Sequence, residues 1–199
     1  MDDNYNNFVA YLHRLDVKFV ESPQEKMLRF VCEVDNCDVS ILIHFQDDNR
    51  IYFSSLIDLL IDDQHLKEAL LLVNAFNDML NDGGLILRKD RRIDYRISIP
   101  ILGNTLSDPF WEAMLLRLFR IPNDVYPLFR DIIENDGNGL DLFQSFFKEK
   151  EKEQNFDVHQ TILEVENIDD VEFVTLNDII KSRISSNMDL DIESILKKN

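Results

Sequence analysis

Apolar residues recur along the chain with two different periods, and each period predicts a different kind of element. Residues 4–15 carry apolar side chains at helical spacing, which predicts an amphipathic helix with one buried face. Three later segments are rich in apolar residues, and in 37–46 a period of two is visible: Val39, Ile41, Ile43 and Phe45 alternate with Ser40, Leu42, His44 and Gln46. The three segments are residues 27–34, 37–46 and 50–60. Short polar turns separate them, so they predict an antiparallel meander of three strands.

Helical spacing returns after this meander. Either Asp62 or Asp63 can cap the new helix, because a carboxylate there accepts hydrogen bonds from free amide groups. The run Asn81–Gly84 predicts the end of the helix, since glycine tolerates a left-handed exit conformation. Two strands, Leu85–Arg88 and Ile93–Ile99, then form a β-hairpin.

The turn of this hairpin holds an unusual basic cluster for so acidic a chain. Its four members are Arg88, Lys89, Arg91 and Arg92. A phosphate site would need glycines that lead directly into a helix N-terminus, whereas Gly83 and Gly84 lead into a strand. The cluster is therefore interpreted as a solvated turn.

The next segment predicts a helix that needs cover on two sides. Ser107 is a capping residue and Pro109 suits the first turn. The following run, residues 110–121, is apolar almost all round, so one side packs on the sheet and the other on a subunit, the C-terminal tail or a client. Candidate contact residues for a partner on this helix are Phe110, Trp111 and Leu115. Pro122 is expected to interrupt the helix, which resumes with Asn123 or Asp124 as cap.

This order of elements predicts an α+β fold with an appendage. Helix, three-stranded antiparallel meander, helix, β-hairpin and helices form one domain over residues 1–139. Residues 140–199 form an acidic C-terminal extension of helical and irregular segments, beginning with a helix at 140–152. From residue 150 onward the chain has twelve acidic and six basic residues and no long apolar face.

Charge narrows the classes of partner. The net charge is −17 and the sequence pI is about 4.5. Nucleic acid and anionic membranes would repel such a surface, so neither is expected as a partner. The acidic, polar N-terminus is the reverse of a signal peptide, and we expect a cytoplasmic protein with no membrane insertion.

No arrangement of residues predicts catalysis, a metal or a cofactor. Cys32 and Cys37 lack further ligands, and we expect free thiols, with a disulfide across the hairpin as the oxidised alternative. The segment 134–145 resembles a calcium loop but has Ser145 where a bidentate Glu is required. The histidines lie far apart in sequence, at His13, His44, His65 and His159. We therefore predict a protein that is not an enzyme.

Apolar residues also occupy strand positions that should face solvent. They are Val31, Leu42, Tyr52 and Leu56. A contiguous apolar patch on the outer side of a sheet is typical of a binding surface. The alternative is that the N-terminal helix or the tail covers it.

The central region resembles the YbjN family, whose fold is similar to that of type III secretion chaperones. The features that carry the resemblance are Asn74, Asn77, Gly83-Gly84, Ile93–Arg96 and the Ser107–Pro109 helix start. The resemblance extends from about residue 3 to residue 135. It implies a binding module, often dimeric, that holds a partner polypeptide and has no catalytic residues.

Two functional hypotheses follow. The first is a chaperone-like or regulatory adaptor that binds a partner protein, with a homodimer as a further expectation. The alternative is an acidic inhibitor or immunity-type protein that neutralises a basic toxin or nuclease, since complementary charge speeds encounter. The identity of the partner does not follow from the sequence.

Overall fold

The described part of the chain forms one β-sheet, and helices pack on one side of it. The structure, a computed structural model, describes residues 2–47, 49–101, 103 and 105–150. The helices are α1 (Asp2–Arg14), α2 (Leu66–Asn77), α3 (Asp108–Asn135) and α4 (residues 139–150). The strands are β1 (Val20–Ser22), β2 (Met27–Val34), β3 (Cys37–Gln46), β4 (Arg50–Leu60), β5 (Gly84–Leu87) and β6 (Arg92–Pro100).

All six described strands belong to one antiparallel sheet with the order β1-β2-β3-β4-β6-β5. The predicted α+β class, the meander and the hairpin are confirmed. Strand β1 was not predicted, because three residues are too few to display a period of two.

Both ends of α2 differ from the prediction. The residue at the N-cap is His65, whose side chain makes no capping bond, and Asp62 Oδ1 instead accepts the His65 backbone N–H at 3.1 Å. The helix ends at Asn77 rather than at the glycines. Gly83, with φ of 77°, lies against the sheet, where a Cβ would come within 2.5 Å of the Arg96 carbonyl oxygen. Glycine is needed here for close approach of two backbones, not to end the helix.

Helix α3 is continuous where an interruption at Pro122 was predicted. It runs for 28 residues through both Pro122 and Pro127. A proline has no N–H, so each one leaves the carbonyl four residues earlier without its helical donor. For Pro122 that carbonyl belongs to Leu118, and the buried Ser55 hydroxyl on β4 donates to it at 2.6 Å.

The second proline is accommodated in the same way. Pro127 leaves the Asn123 carbonyl without a helical donor, and the Asn36 side-chain amide donates to this oxygen at 3.3 Å. Asn36 also donates its backbone N–H to Asn123 Oδ1 at 3.1 Å. Donors from β4 and the β2–β3 turn thus replace both missing helical bonds, and α3 continues as one element.

Aromatic side chains hold α1 and α3 onto the sheet. The Phe8 ring on α1 lies 4.8 Å from the Trp111 ring on α3, and Phe8 also contacts Phe45 of β3. Both belong to one core cluster with the inward residues of the strands. Within the described residues, no helix is both long enough and apolar enough to cross a bilayer.

Helix α4 packs against α2. Phe143 and Phe146 pack on Phe76 with ring centroids 5.2 and 5.4 Å apart. The predicted helix at 140–152 is therefore present as far as residue 150, and it packs on the body of the domain. The predicted domain boundary at 139 stays a prediction, and residues 151–199 lie outside the described residues.

The two cysteines are free thiols, as predicted, and do not form the alternative disulfide. They are not cross-strand partners, because Cys32 pairs with Val39 and Cys37 with Val34. Burial raises the pKa of Cys37 to about 12 and raises that of Cys32 as well. Both thiols therefore stay protonated and weakly nucleophilic at neutral pH.

Replacing Ser55 by Ala should destabilise the protein, because Pro122 leaves the Leu118 carbonyl without a helical donor. The buried Leu118 carbonyl would lose its donor, which costs about 1–3 kcal/mol of unfolding free energy. In a Pro122→Ala background the restored N–H should take over, so the same substitution should cost clearly less. Urea unfolding of the four proteins measures both costs. Equal costs in the two backgrounds would contradict this account of the helix.

Candidate functional site

The strand register fixes a grid of side chains on the side of the sheet away from the helices. One row across the sheet contains Val31, Ser40, Leu56, Asp94 and Ile86. The next row contains Arg29, Leu42, Ser54 and Arg96, and a third contains Met27, His44, Tyr52 and Ser98. With strands about 4.8 Å apart, the first row extends roughly 20 Å. We call this side, which carries Val31, Leu42, Tyr52 and Leu56, the outer face.

The apolar residues of the outer face are separate from the core. Val31, Leu42 and Tyr52 are half-buried and Leu56 is buried, yet none of them joins the core cluster or packs against it. Ile86 at the end of the first row is 38% exposed. No helix of the described residues covers this surface, since the core-cluster residues of the helices pack with inward strand residues.

The predicted contact residues on α3, unlike those of the outer face, belong to the core or pack against it. Trp111 and Leu115 are 0% exposed and lie inside the core, so their predicted role in partner binding is corrected. Phe110 is half-buried against the same core, with its ring 5.1 Å from that of Trp111. The spacing of these residues correctly indicated an apolar helix. Its two sides are covered by the sheet and by α1.

A polar network lies within the outer face. Asp94 is fully buried, and it accepts hydrogen bonds from Ser54 Oγ and Arg96 Nε, both at 2.6 Å. The Arg96 guanidinium also lies over the Tyr52 ring, 5.9 Å from its centroid, which is within the reach of about 6 Å for a cation–π contact. Burial raises the pKa of Tyr52 above its usual value, and Asp94 adds to the effect. The network fixes the position of Arg96, a role that its place in an alternating strand did not reveal.

The edge of the sheet beside this face is closed. The Asn77 side chain donates to the Leu85 carbonyl at 2.9 Å and accepts the Leu85 N–H at 2.7 Å. A neighbouring strand would make the same pair of bonds, so Asn77 occupies the place of one at β5. An exposed edge otherwise invites another chain to pair with it. A partner can therefore bind the outer face without adding a strand next to Leu85 of β5.

A second cluster joins the ends of two helices. His65 Nδ1 lies 2.7 Å from Asp62 Oδ1, and His65 Nε2 lies 2.9 Å from Asp136 Oδ1. Asp136 follows α3 in a left-handed conformation, with φ of 51°. The hydrogen bond to Asp136 raises the pKa of His65, against the opposing effect of burial, and Asp62 adds to the rise. Both ring nitrogens are engaged, so the geometry is that of a clamp between α2 and α3.

This cluster was not foreseen from the sequence, where the histidines looked isolated. Only the Asp62–His65 spacing of three residues gave a signal, and Asp136 is distant in the chain. Asp136 also belongs to the segment that resembled a calcium loop. Gly139 of that segment donates its N–H to Glu68 at 3.1 Å, which ties the loop to α2. Among the described residues no group of three or more His, Cys, Asp or Glu side chains could hold a metal ion, and His159 lies outside them.

No family model and no curated protein matches the chain. Among solved structures, the crystal structure of YbjN from E. coli, a candidate transcription regulator, aligns with a TM-score of 0.46 and 14% identity. That alignment covers 61% of this chain and 90% of YbjN. A chain of the HopA1–SchA chaperone–effector complex aligns with a TM-score of 0.42 and 20% identity, over 60% of this chain and 91% of its own. Both matches concern the fold alone.

The His65 clamp predicts a stability that depends on pH. The protonated imidazole is the form that both carboxylates favour, so its pKa is higher in the folded than in the unfolded chain. The stabilisation is complete below the ordinary pKa of 6.5 and disappears as pH rises through the folded value. Urea unfolding should therefore show a larger difference between wild type and His65→Gln at about pH 6 than at about pH 8.5.

A neighbouring carboxylate serves as the control for the clamp. Asp136→Asn should reduce the pH-dependent difference, because it removes one charged partner of the imidazole. Asp63→Asn should leave it unchanged, since Asp63 pairs with Arg91 instead. The same difference in unfolding free energy at both pH values would rule out the clamp.

The closed edge gives a separate prediction. Asn77→Ala should leave the Leu85 backbone groups unpaired, lower the unfolding free energy by about 1–2 kcal/mol and promote association through β5. Asn74→Ala is the matched control, because Asn74 is exposed on the same helix and its side chain makes no bond among the described residues. Light scattering together with thermal unfolding would measure both effects. Equal behaviour of the two variants would show that Asn77 does not close the edge.

Proposed function

We propose that this chain is a protein-binding module that holds a partner polypeptide against the outer face of its sheet. Its role is that of a chaperone-like protein or regulatory adaptor, and it performs no chemistry on the partner. The observation that carries the proposal is the set of apolar side chains at Val31, Leu42, Tyr52 and Leu56, which lie outside the core cluster. Water-facing strand positions normally carry polar residues, so these apolar ones need another explanation.

The shape of the outer face favours a polypeptide over a small molecule. Small ligands are usually enclosed in concave pockets, whereas this surface is the flat side of a sheet about 20 Å wide. Apolar side chains are interspersed there with Arg29, Ser40 and Ser54. Apolar contacts surrounded by polar groups are typical of interfaces between proteins that also exist apart.

The polar clusters support a role without catalysis. The ring nitrogens of His65 both face carboxylates, and Asp94 is engaged by Ser54 and Arg96. A general base needs a free acceptor within reach of a substrate proton, and these groups are already occupied. Both thiols are held in the protonated form by burial. The groups thus have structural partners in place of substrates.

Substitution of Leu42 tests the proposal directly. Leu42→Gln should lower affinity for the physiological partner at least about tenfold, because a central apolar contact of an interface is worth more than about 1.4 kcal/mol. The matched control is Leu70→Gln, since Leu70 is 46% exposed on α2 and lies away from the outer face. Affinity purification from the native cells, followed by calorimetry with the purified partner, gives the measurement.

Two outcomes would count against the proposal. A partner retained equally by both variants would bind elsewhere on the molecule. Self-association that Leu42→Gln abolishes, with no other protein retained, would make the outer face a homodimer interface. Light scattering of the wild type and both variants separates these cases.

A further inference from the structure

A basic pocket borders the outer face at the β5–β6 hairpin. It encloses about 440 Å³ and is open to solvent. Its lining residues are Ile86, Leu87, Arg88, Lys89, Asp90 and Arg96. Ile86 and Arg96 also belong to the outer face, so the pocket and the apolar surface are continuous.

The cations of this pocket keep donors for another acceptor. Arg96 uses its Nε to bind Asp94, which leaves the two terminal amino groups of its guanidinium. Arg88 pairs with Asp90 at 3.1 Å, and Lys89 makes no ion pair among the described residues. Three cations thus face a single open carboxylate, that of Asp90. A guanidinium held in place by a buried partner is well suited to bind a further carboxylate.

The outer face carries both signs of charge, since Glu33 and Asp38 are exposed in the row beside Val31 and Ser40 and two further cations lie in other rows. Arg29 lies in the same row as Leu42 and Arg96 and makes no ion pair among the described residues. Arg50, at the end of β4, donates to Ser98 Oγ rather than to an acid. The carboxylate in the middle of the face, Asp94, is buried and neutralised by Arg96.

The hairpin end of this surface differs in charge from the molecule as a whole. The whole chain has a net charge of −17, so an acidic partner is repelled by most of its surface. Attraction for an acidic partner is left near Lys89, Arg29 and Arg50, which make no ion pair among the described residues. Such local complementarity selects the orientation of a partner and suppresses wrong contacts.

We propose that the outer face binds a polypeptide segment with interspersed apolar and acidic residues, whose carboxylate enters the hairpin pocket at Lys89 and Arg96. The inference rests on the proposed function and adds the chemistry of the partner to it. A basic toxin or nuclease does not fit this surface, although it suited the overall charge. Polyanionic nucleic acid would meet the repulsion of the remaining surface.

Selection of peptides by the full chain tests the inference. A random peptide library displayed on phage should yield sequences with net negative charge and several apolar residues. Fluorescence anisotropy with the most enriched peptide should show an affinity about tenfold lower for Lys89→Glu, because a favourable charge pair becomes a repulsive one. Arg120→Glu is the control, since Arg120 is exposed on α3 and its one ion pair among the described residues is with Asp124, at 3.6 Å.

A charge exchange strengthens the test. A peptide whose acidic residues are replaced by lysine should bind wild type weakly and Lys89→Glu better. Improved binding would place the peptide carboxylate next to residue 89, which a general electrostatic effect of the −17 chain would not do. Arg29→Glu should weaken the acidic peptide as well, whereas Leu42→Gln should weaken every peptide that lies on the face.

The outcomes separate this inference from the proposed function. Enriched peptides that are neutral or basic, need Leu42 and ignore Lys89 would overturn the inference and leave the proposed function standing. Peptides that ignore both residues would overturn both. A photo-cross-linker at Ile86 that captures residues 151–199 of the same chain, or a second copy, would replace the external partner and overturn the inference.

Discussion

Helix α3 can cross the sheet as one element because the sheet supplies hydrogen bonds that the helix itself lacks. Pro122 and Pro127 each leave a carbonyl oxygen without a helical donor, and Ser55 and Asn36 donate to these oxygens. A buried carbonyl oxygen without a donor would lower the unfolding free energy by about 1–3 kcal/mol. With both satisfied, Trp111 and Leu115 remain in register with the strands and close the core.

Among the described residues, the helices cover one side of the sheet. The aromatic layer of Phe8, Phe45 and Trp111 uses the inward side chains of the strands, so the helices of the described residues are committed to that side. The His65 ring is bound within the molecule by its two carboxylates. The outer face, by contrast, carries apolar residues and arginines side by side.

The alternation of residues along the strands predicted some features of the candidate site and not others. Alternation placed Val31, Leu42, Tyr52 and Leu56 on one side of the sheet, and the structure keeps them there. The position of Arg96 beside Tyr52 depends on Asp94, and the closure of β5 depends on Asn77. Both features join residues that no periodicity connects, because hydrogen bonds between side chains depend on distance in space rather than along the chain.

The sequence by itself determined the strands β2, β3, β4 and β6 and the order of the larger elements, since burial of one face imposes a period on nearby residues. Tertiary structure decided where α2 ends and whether α3 continues past Pro122. A proline interrupts an isolated helix, but Ser55 lies 63 residues from Leu118 and removes that penalty only after folding. It also decided that Trp111 is enclosed, because an apolar helix does not specify which neighbours will cover it.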